Sequence, residues 1–126
     1  MKIVLATFAS AALFSASTAH AALDNAAAEA MMKKDGCAAC HAIDKKLVGP
    51  AYVEVAAKYK GDKDAVAKLT KKVKEGGSGV WGQIPMPPNA ATPTADITDL
   101  VTWILTLKKE ALNNAKQGQT TFSPRC

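Results

Sequence analysis

Thr94-Ala95-Asp96-Ile97-Thr98-Asp99-Leu100-Val101-Thr102-Trp103-Ile104-Leu105 carries the clearest period in the chain. Ile97, Leu100, Val101, Ile104 and Leu105 recur at i, i+3, i+4, i+7 and i+8, the buried stripe of an α-helix. Thr92 followed by Pro93, or Thr94 with Asp96 behind it, is expected to cap its start. Immediately upstream, residues 80–93 hold Pro85, Pro87, Pro88 and Pro93 and cannot be regular helix. Gly76-Gly77-Ser78-Gly79 ends an earlier helix opened by Asp62 or Asp64. In that helix Val66, Leu69 and Val73 share a face, and Lys68, Lys71, Lys72 and Lys74 lie elsewhere. Tyr52 to Tyr59 reads as a short helix ending before Gly61, and residues 42–50 read as loop because Gly49-Pro50 breaks a helix. Asp24 or Asn25 caps a first helix that runs through Asp35 to a stop at Gly36. No segment alternates as a strand would, so the predicted fold class is all-α.

The two ends fall outside this helical unit. Lys2, the uncharged run from Ile3 to Ala16 and the small-x-small triplet Ala19-His20-Ala21 form the pattern of a cleaved export signal over residues 1–21. That run is shorter than the ~20 apolar residues a membrane-spanning helix needs, so no membrane insertion is expected. Residues 22–109 are then the single domain. Residues 110–126, with Asn113, Asn114, Gln117 and Gln119, read as a polar, disordered tail. The formal charge is +5, but the lysines are spread out and no basic run interleaves with aromatics, which argues against nucleic acid. Solvated helix faces account for these lysines, with at most a weak preference for acidic protein partners. Three phenylalanines, two tryptophans and two tyrosines are few for a core of this length. A large buried cofactor would supply the missing apolar centre.

Cys37-Ala38-Ala39-Cys40-His41 says which cofactor. Two thiols at this spacing, followed at once by an imidazole, are the attachment signature of haem c. The thiols add to two vinyl groups on one edge of the porphyrin, and His41 is placed under the iron as an axial ligand. A thioredoxin-like redox pair would need a βαβ context, and no strand is predicted. A structural zinc site needs four Cys or His ligands. Apart from Cys126, the mature chain offers only Cys37, Cys40 and His41, since His20 leaves with the signal. A simple Cys37–Cys40 disulfide would leave His41 unexplained. With no second histidine, and with Met31 and Met32 on the helix leading into Cys37, Met86 is the remaining candidate for the other axial position. Its neighbours Pro85, Pro87 and Pro88 fix φ around it and lower the entropy lost when the thioether is held. Core filling is the commoner fate of a methionine, but the prolines and the distance from any helix argue against it here.

Three motifs in order, Cys-Ala-Ala-Cys-His-Ala-Ile-Asp from Cys37, Val-Gly-Pro-Ala-Tyr from Val48 and Gly-Val-Trp-Gly-Gln-Ile-Pro-Met-Pro-Pro-Asn from Gly79, resemble the small bacterial cytochrome c-551 family of class I cytochromes c. The resemblance runs from about Leu23 to Lys108. It implies four to five helices wrapped around one covalently bound haem, with iron held by His41 and Met86. It also implies that the Pro50 carbonyl accepts from the His41 ring, that Trp81 reaches a haem propionate, and that Asn89 donates to the Met86 sulfur. For Trp81, simple core packing is the competing account. Two features depart from the family: Met32 stands where an aromatic usually packs against the last helix, and the tail has no counterpart.

The implied function is a periplasmic carrier of single electrons, not an enzyme, because two filled axial positions leave no open site. The other reading is an open-site haem protein, a gas sensor or peroxidase-like, if Met86 is not a ligand. Expected partners are redox proteins such as a nitrite reductase, a cytochrome c peroxidase, a terminal oxidase or the quinol-oxidising complex. Cys126 has no partner left within the chain. It is expected either to remain a free thiol, to link the otherwise monomeric protein into a dimer, or to be lost with a trimmed tail.

Overall fold

In the computed structural model, which describes residues 22–110, the backbone forms four α-helices and one 3₁₀ turn. The export signal, most of the tail and Cys126 lie outside the described residues. Helix α1 spans Asn25–Lys34, the 3₁₀ turn Cys37–Ala39, α2 Tyr52–Lys58, α3 Ala65–Glu75 and α4 Thr94–Leu105. No strand occurs among the described residues, and the chain is all-α as its periodicity requires; a lone antiparallel bridge joins Gly77 to Met86.

Each boundary has a local cause. The Asp24 carboxylate accepts from the Ala27 amide at 2.7 Å and caps α1, while Lys33 and Lys34 sit in its last turn against the negative end of the helix dipole. Gly36 then takes φ 75°, the left-handed conformation that ends α1 and turns the chain straight into Cys37. Glu54 reaches back to the Ala51 amide at 2.9 Å and fixes the start of α2. At α3 the cap position is Asp64, but the side chain at work is Asp62, which accepts from the Asp64 amide and from Lys68.

Helix α4 corrects two sequence expectations. Its N-cap is Pro93, with no side-chain cap bond. The Thr92 hydroxyl donates to Asn89 instead, and Thr94 is already helical. The buried stripe is Ile97, Leu100, Val101, Trp103 and Ile104, and Leu105 is only half-buried. Trp103 lies three residues beyond Leu100 and occupies the edge of the stripe that Leu105 was expected to fill.

Helix α4 packs against α1, α2 and α3 and is the axis of the fold. On one side Leu100, Trp103 and Ile104 meet Ala28 and Met32 of α1 and Tyr52 and Val55 of α2 in a single buried cluster. The Trp103 indole N–H donates to the Asn25 side chain at 3.0 Å, so the last helix is keyed to the first turn of the first. Met32, which stands where the resemblance would place an aromatic, is buried in this cluster, as its flexible thioether permits. Trp103→Ala is expected to destabilise the holoprotein by about 3–5 kcal/mol through loss of the largest side chain in this cluster. Denaturant unfolding followed by haem absorbance checks it; a loss below about 1 kcal/mol would mean that the cluster does not hold α1 to α4.

Candidate functional site

The other side of α4 faces a cleft of about 430 Å³, within the ~300–1,000 Å³ typical of sites for small molecules and cofactors. Ile97, Leu100, Val101 and Ile104 line it from α4, Leu69 and Val73 from α3, and Leu47, Val48, Val80 and Ile84 from the flanking loops. Of the expected apolar face of α3, Leu69 and Val73 line the cleft and are half-buried, Val66 lies outside the lining, and the buried residues of that helix are Ala65 and Thr70. Cys37, Cys40, His41, Pro50, Trp81 and Met86 all border the same cleft. Asn89 does not; it lines a smaller hollow beside it, together with Asp35, Cys37 and Met86.

The two thiols are presented by the 3₁₀ turn. The Cys40 and His41 amides both donate to the Cys37 carbonyl, at 3.1 and 3.0 Å, so the five-residue motif is wound into one compact turn. Both cysteines are half-buried. Burial pushes the Cys37 thiol above its ordinary value, the nearby Asp35 carboxylate adds to this, and the Tyr52 hydroxyl opposes it. Burial likewise raises the Tyr52 hydroxyl, well above the ordinary tyrosine value, and the neighbouring Cys37 adds to the shift. Tyr52 therefore stays neutral across the physiological range and can donate a proton in a hydrogen bond.

His41 is held on three sides. Its Nδ1 lies 2.8 Å from the Pro50 carbonyl. A carbonyl only accepts, so Nδ1 carries the hydrogen and Nε2 of the neutral ring keeps its lone pair. The ring stacks on Tyr52 with centroids 5.2 Å apart and planes 16° from parallel. At its edge stands Gly49, where an added Cβ would collide with Cε1 and lie 2.8 Å from Nδ1 and 3.0 Å from Nε2. The Gly49 amide donates to the Cys40 carbonyl at 2.8 Å, which draws the Gly49-Pro50 corner against the cysteine turn. Gly49 is thus needed for space, a requirement that reading it only as a helix breaker misses.

Met86 is held by its backbone. It exchanges two hydrogen bonds with Gly77, both 2.9 Å, and a Cβ at Gly76 would strike the Met86 carbonyl and lie within 2.9 Å of Pro87 and Pro88. Asn89 ties the following residues down: its amide N–H donates to Val73, its side-chain amide to Asp35 at 3.3 Å, and its side-chain oxygen accepts from Thr92 at 2.9 Å. One of its two side-chain amide hydrogens is thereby engaged away from the methionine, and the second is the one left for a sulfur. Trp81 is not core packing. It is 39 % exposed at the mouth of the cleft, with the Lys58 ammonium 5.5 Å from its ring centroid. Lys58, Lys74 and Tyr52 were not singled out from sequence, because their roles depend on pairing across segments far apart in the chain.

Among the described residues no three His, Cys, Asp or Glu side chains are grouped to hold a metal. None of the described helices is long and apolar enough to cross a membrane. An apolar cleft, a cysteine pair on a rigid turn and an imidazole with a free lone pair fit a haem attached through two thioethers. The class is that of the c-type cytochromes.

Comparison with known proteins agrees. A sequence model of the family described as cytochrome c matches residues 25–108. The chain is 57% identical over 77 residues to cytochrome c-551 of Allochromatium vinosum, covering 61% of this chain and 82% of that one. It is 51% identical over 104 residues to cytochrome c-552 of Nitrosomonas europaea, covering 82% and 95%. The crystal structure of wild-type Nitrosomonas europaea cytochrome c552 superposes with a TM-score of 0.61 at 52% identity, covering 64% of this chain and 99% of that one. The chain therefore belongs to the cytochrome c family, as a small class I c-type cytochrome with one covalently attached haem c. It is an electron-transfer protein.

Gly49→Ala is expected to push the imidazole off the Pro50 carbonyl and to lower holoprotein stability by about 1–3 kcal/mol, the usual cost of overpacking. Denaturant unfolding together with the ring N–H resonance of His41 checks it. An unaltered midpoint and an unaltered resonance would contradict the cradle described for His41.

Proposed function

We propose that this cytochrome is a periplasmic carrier of single electrons whose haem is attached through Cys37 and Cys40 and ligated by His41 and Met86. The observation that carries the ligand assignment is the tautomer that Pro50 imposes. With Nδ1 donating to a carbonyl at 2.8 Å, Nε2 is the nitrogen with a lone pair to give. Met86 supports the other half, since among the described residues it is the methionine bordering the cleft, whereas Met32 is buried in the α1–α4 cluster and Met31 packs against it.

When bound, the haem supplies the Fe(II)/Fe(III) couple. The chain's own residues do the rest. His41 is aligned by Pro50, Tyr52 and Gly49, so little reorganisation accompanies a change of iron charge. The apolar lining from α3 and α4 excludes water, and a thioether ligand favours the reduced state and raises the potential. The second side-chain amide hydrogen of Asn89 is available to the Met86 sulfur, and the Trp81 indole to a propionate at the mouth of the cleft. With His41 and Met86 both holding the iron, no site would remain on it for a substrate, which favours electron transfer over a sensor or peroxidase-like role. The export pattern over residues 1–21 supports the periplasm. There a nitrite reductase, a cytochrome c peroxidase, a terminal oxidase or the quinol-oxidising complex would exchange electrons with it in brief, weak encounters.

Met86→Ala tests the reading. The long-wavelength charge-transfer band of the oxidised protein, which reports sulfur bound to iron, is expected to vanish and the reduction potential to fall. A mutant that keeps the band would show that Met86 is not the ligand and would restore the open-site alternative.

A further inference from the structure

The lysines of α3 are not all alike. Lys68 is exposed and pairs with Asp62 at 2.8 Å. Lys74, in the last turn of the same helix, is half-buried, and its ammonium donates to two backbone carbonyls, Ala90 at 2.7 Å and Thr92 at 2.8 Å. Thr92 is 7 % exposed. Hydrogen bonds from a full charge, at these lengths and partly shielded from water, are the stronger kind.

What they hold is the return path of the Met86 loop. Met86 itself is fixed through its backbone by the Gly77 bridge, and the chain after it by the Asn89 amide on Val73. Between and beyond, Pro87, Pro88 and Pro93 have no N–H to give, so this stretch is poor in backbone donors. The Lys74 ammonium supplies two donors from outside, next in sequence to the Val73 carbonyl that takes Asn89. One turn of α3 thus grips residues 89, 90 and 92 together.

We propose that Lys74 is a positioning residue for Met86: its ammonium clamps the loop behind the methionine to α3, and without the clamp the methionine leaves the iron more readily. This rests on the reading of Met86 as a ligand. The clamp acts on opening of the loop, not on the iron.

The test is a spectroscopic titration of oxidised holoprotein with imidazole, an external nitrogen ligand that can occupy the methionine position only when the loop is open. Its apparent affinity scales with the open fraction. Lys74→Met is expected to bind imidazole at least about tenfold more tightly than wild type, the scale of a charge-assisted hydrogen bond lost from the closed state. Lys74→Gln, shorter and uncharged, is expected to bind about threefold more tightly. Lys68→Met, which removes the exposed pair on the same helix, is expected to stay within about twofold. An unchanged affinity in either Lys74 variant overturns the clamp, as does an equal gain in Lys68→Met. A wild type without the charge-transfer band would instead overturn the ligand assignment itself, so the two failures are distinguishable.

Discussion

The hydrogen bond between the His41 ring and the Pro50 carbonyl is the contact on which the rest of the site depends. It joins the cysteine turn to the start of α2 and selects the tautomer of the ring. It exists only because Gly49 leaves room beside the imidazole and because the Gly49 amide is tied to Cys40. Pro50 is itself buried, and α2 begins two residues later with Glu54 pinning the Ala51 amide. Tyr52, the first residue of that helix, then stacks on the same ring and reaches into the α4 cluster. A short run of backbone therefore orients the imidazole, opens a helix and seats an aromatic in the core.

Helix α4 divides the interior. Trp103 closes the cluster with α1 and α2, Ile97 and Val101 join the cleft lining, and Leu100 and Ile104 border both. Within the described residues the aromatics are Tyr52, Tyr59, Trp81 and Trp103, and Trp81 stands at the cleft mouth. So small an aromatic inventory leaves the polypeptide unable to fill a centre of its own, and a covalently held porphyrin would supply the apolar mass for the cleft that α3 and α4 line. Cofactor and core are in this sense the same object, and loss of one costs the other.

The helices and the attachment turn were legible in the sequence because each rests on local chemistry. The period of Ile97, Leu100, Val101 and Ile104, the stop at Gly36 and the Cys-x-x-Cys-His spacing need no partner from elsewhere in the chain. What sequence missed depends on long-range competition. Thr92 has the right side chain for a helix cap, but Asn89 claims its hydroxyl, and the cap falls to Pro93. Asn89 also gives one side-chain amide hydrogen to the Asp35 carbonyl at the end of α1, a partner 54 residues away in the chain. Lys74 looked like one more solvated lysine, because nothing in its neighbours along the chain shows that two carbonyls from a proline-rich loop would lie within reach.

A haem held between His41 and Met86 would leave its mark on the proton spectrum of the reduced holoprotein. A methyl group bound through sulfur at the porphyrin face is shifted far upfield by the ring current, and isotope labelling of methionine methyls assigns it. The Met86 methyl alone is expected to move to such a position, while those of Met31 and Met32 stay in the ordinary range of packed methionines. A Met86 methyl at an ordinary shift, or an upfield methyl belonging to Met31 or Met32, would contradict that ligation.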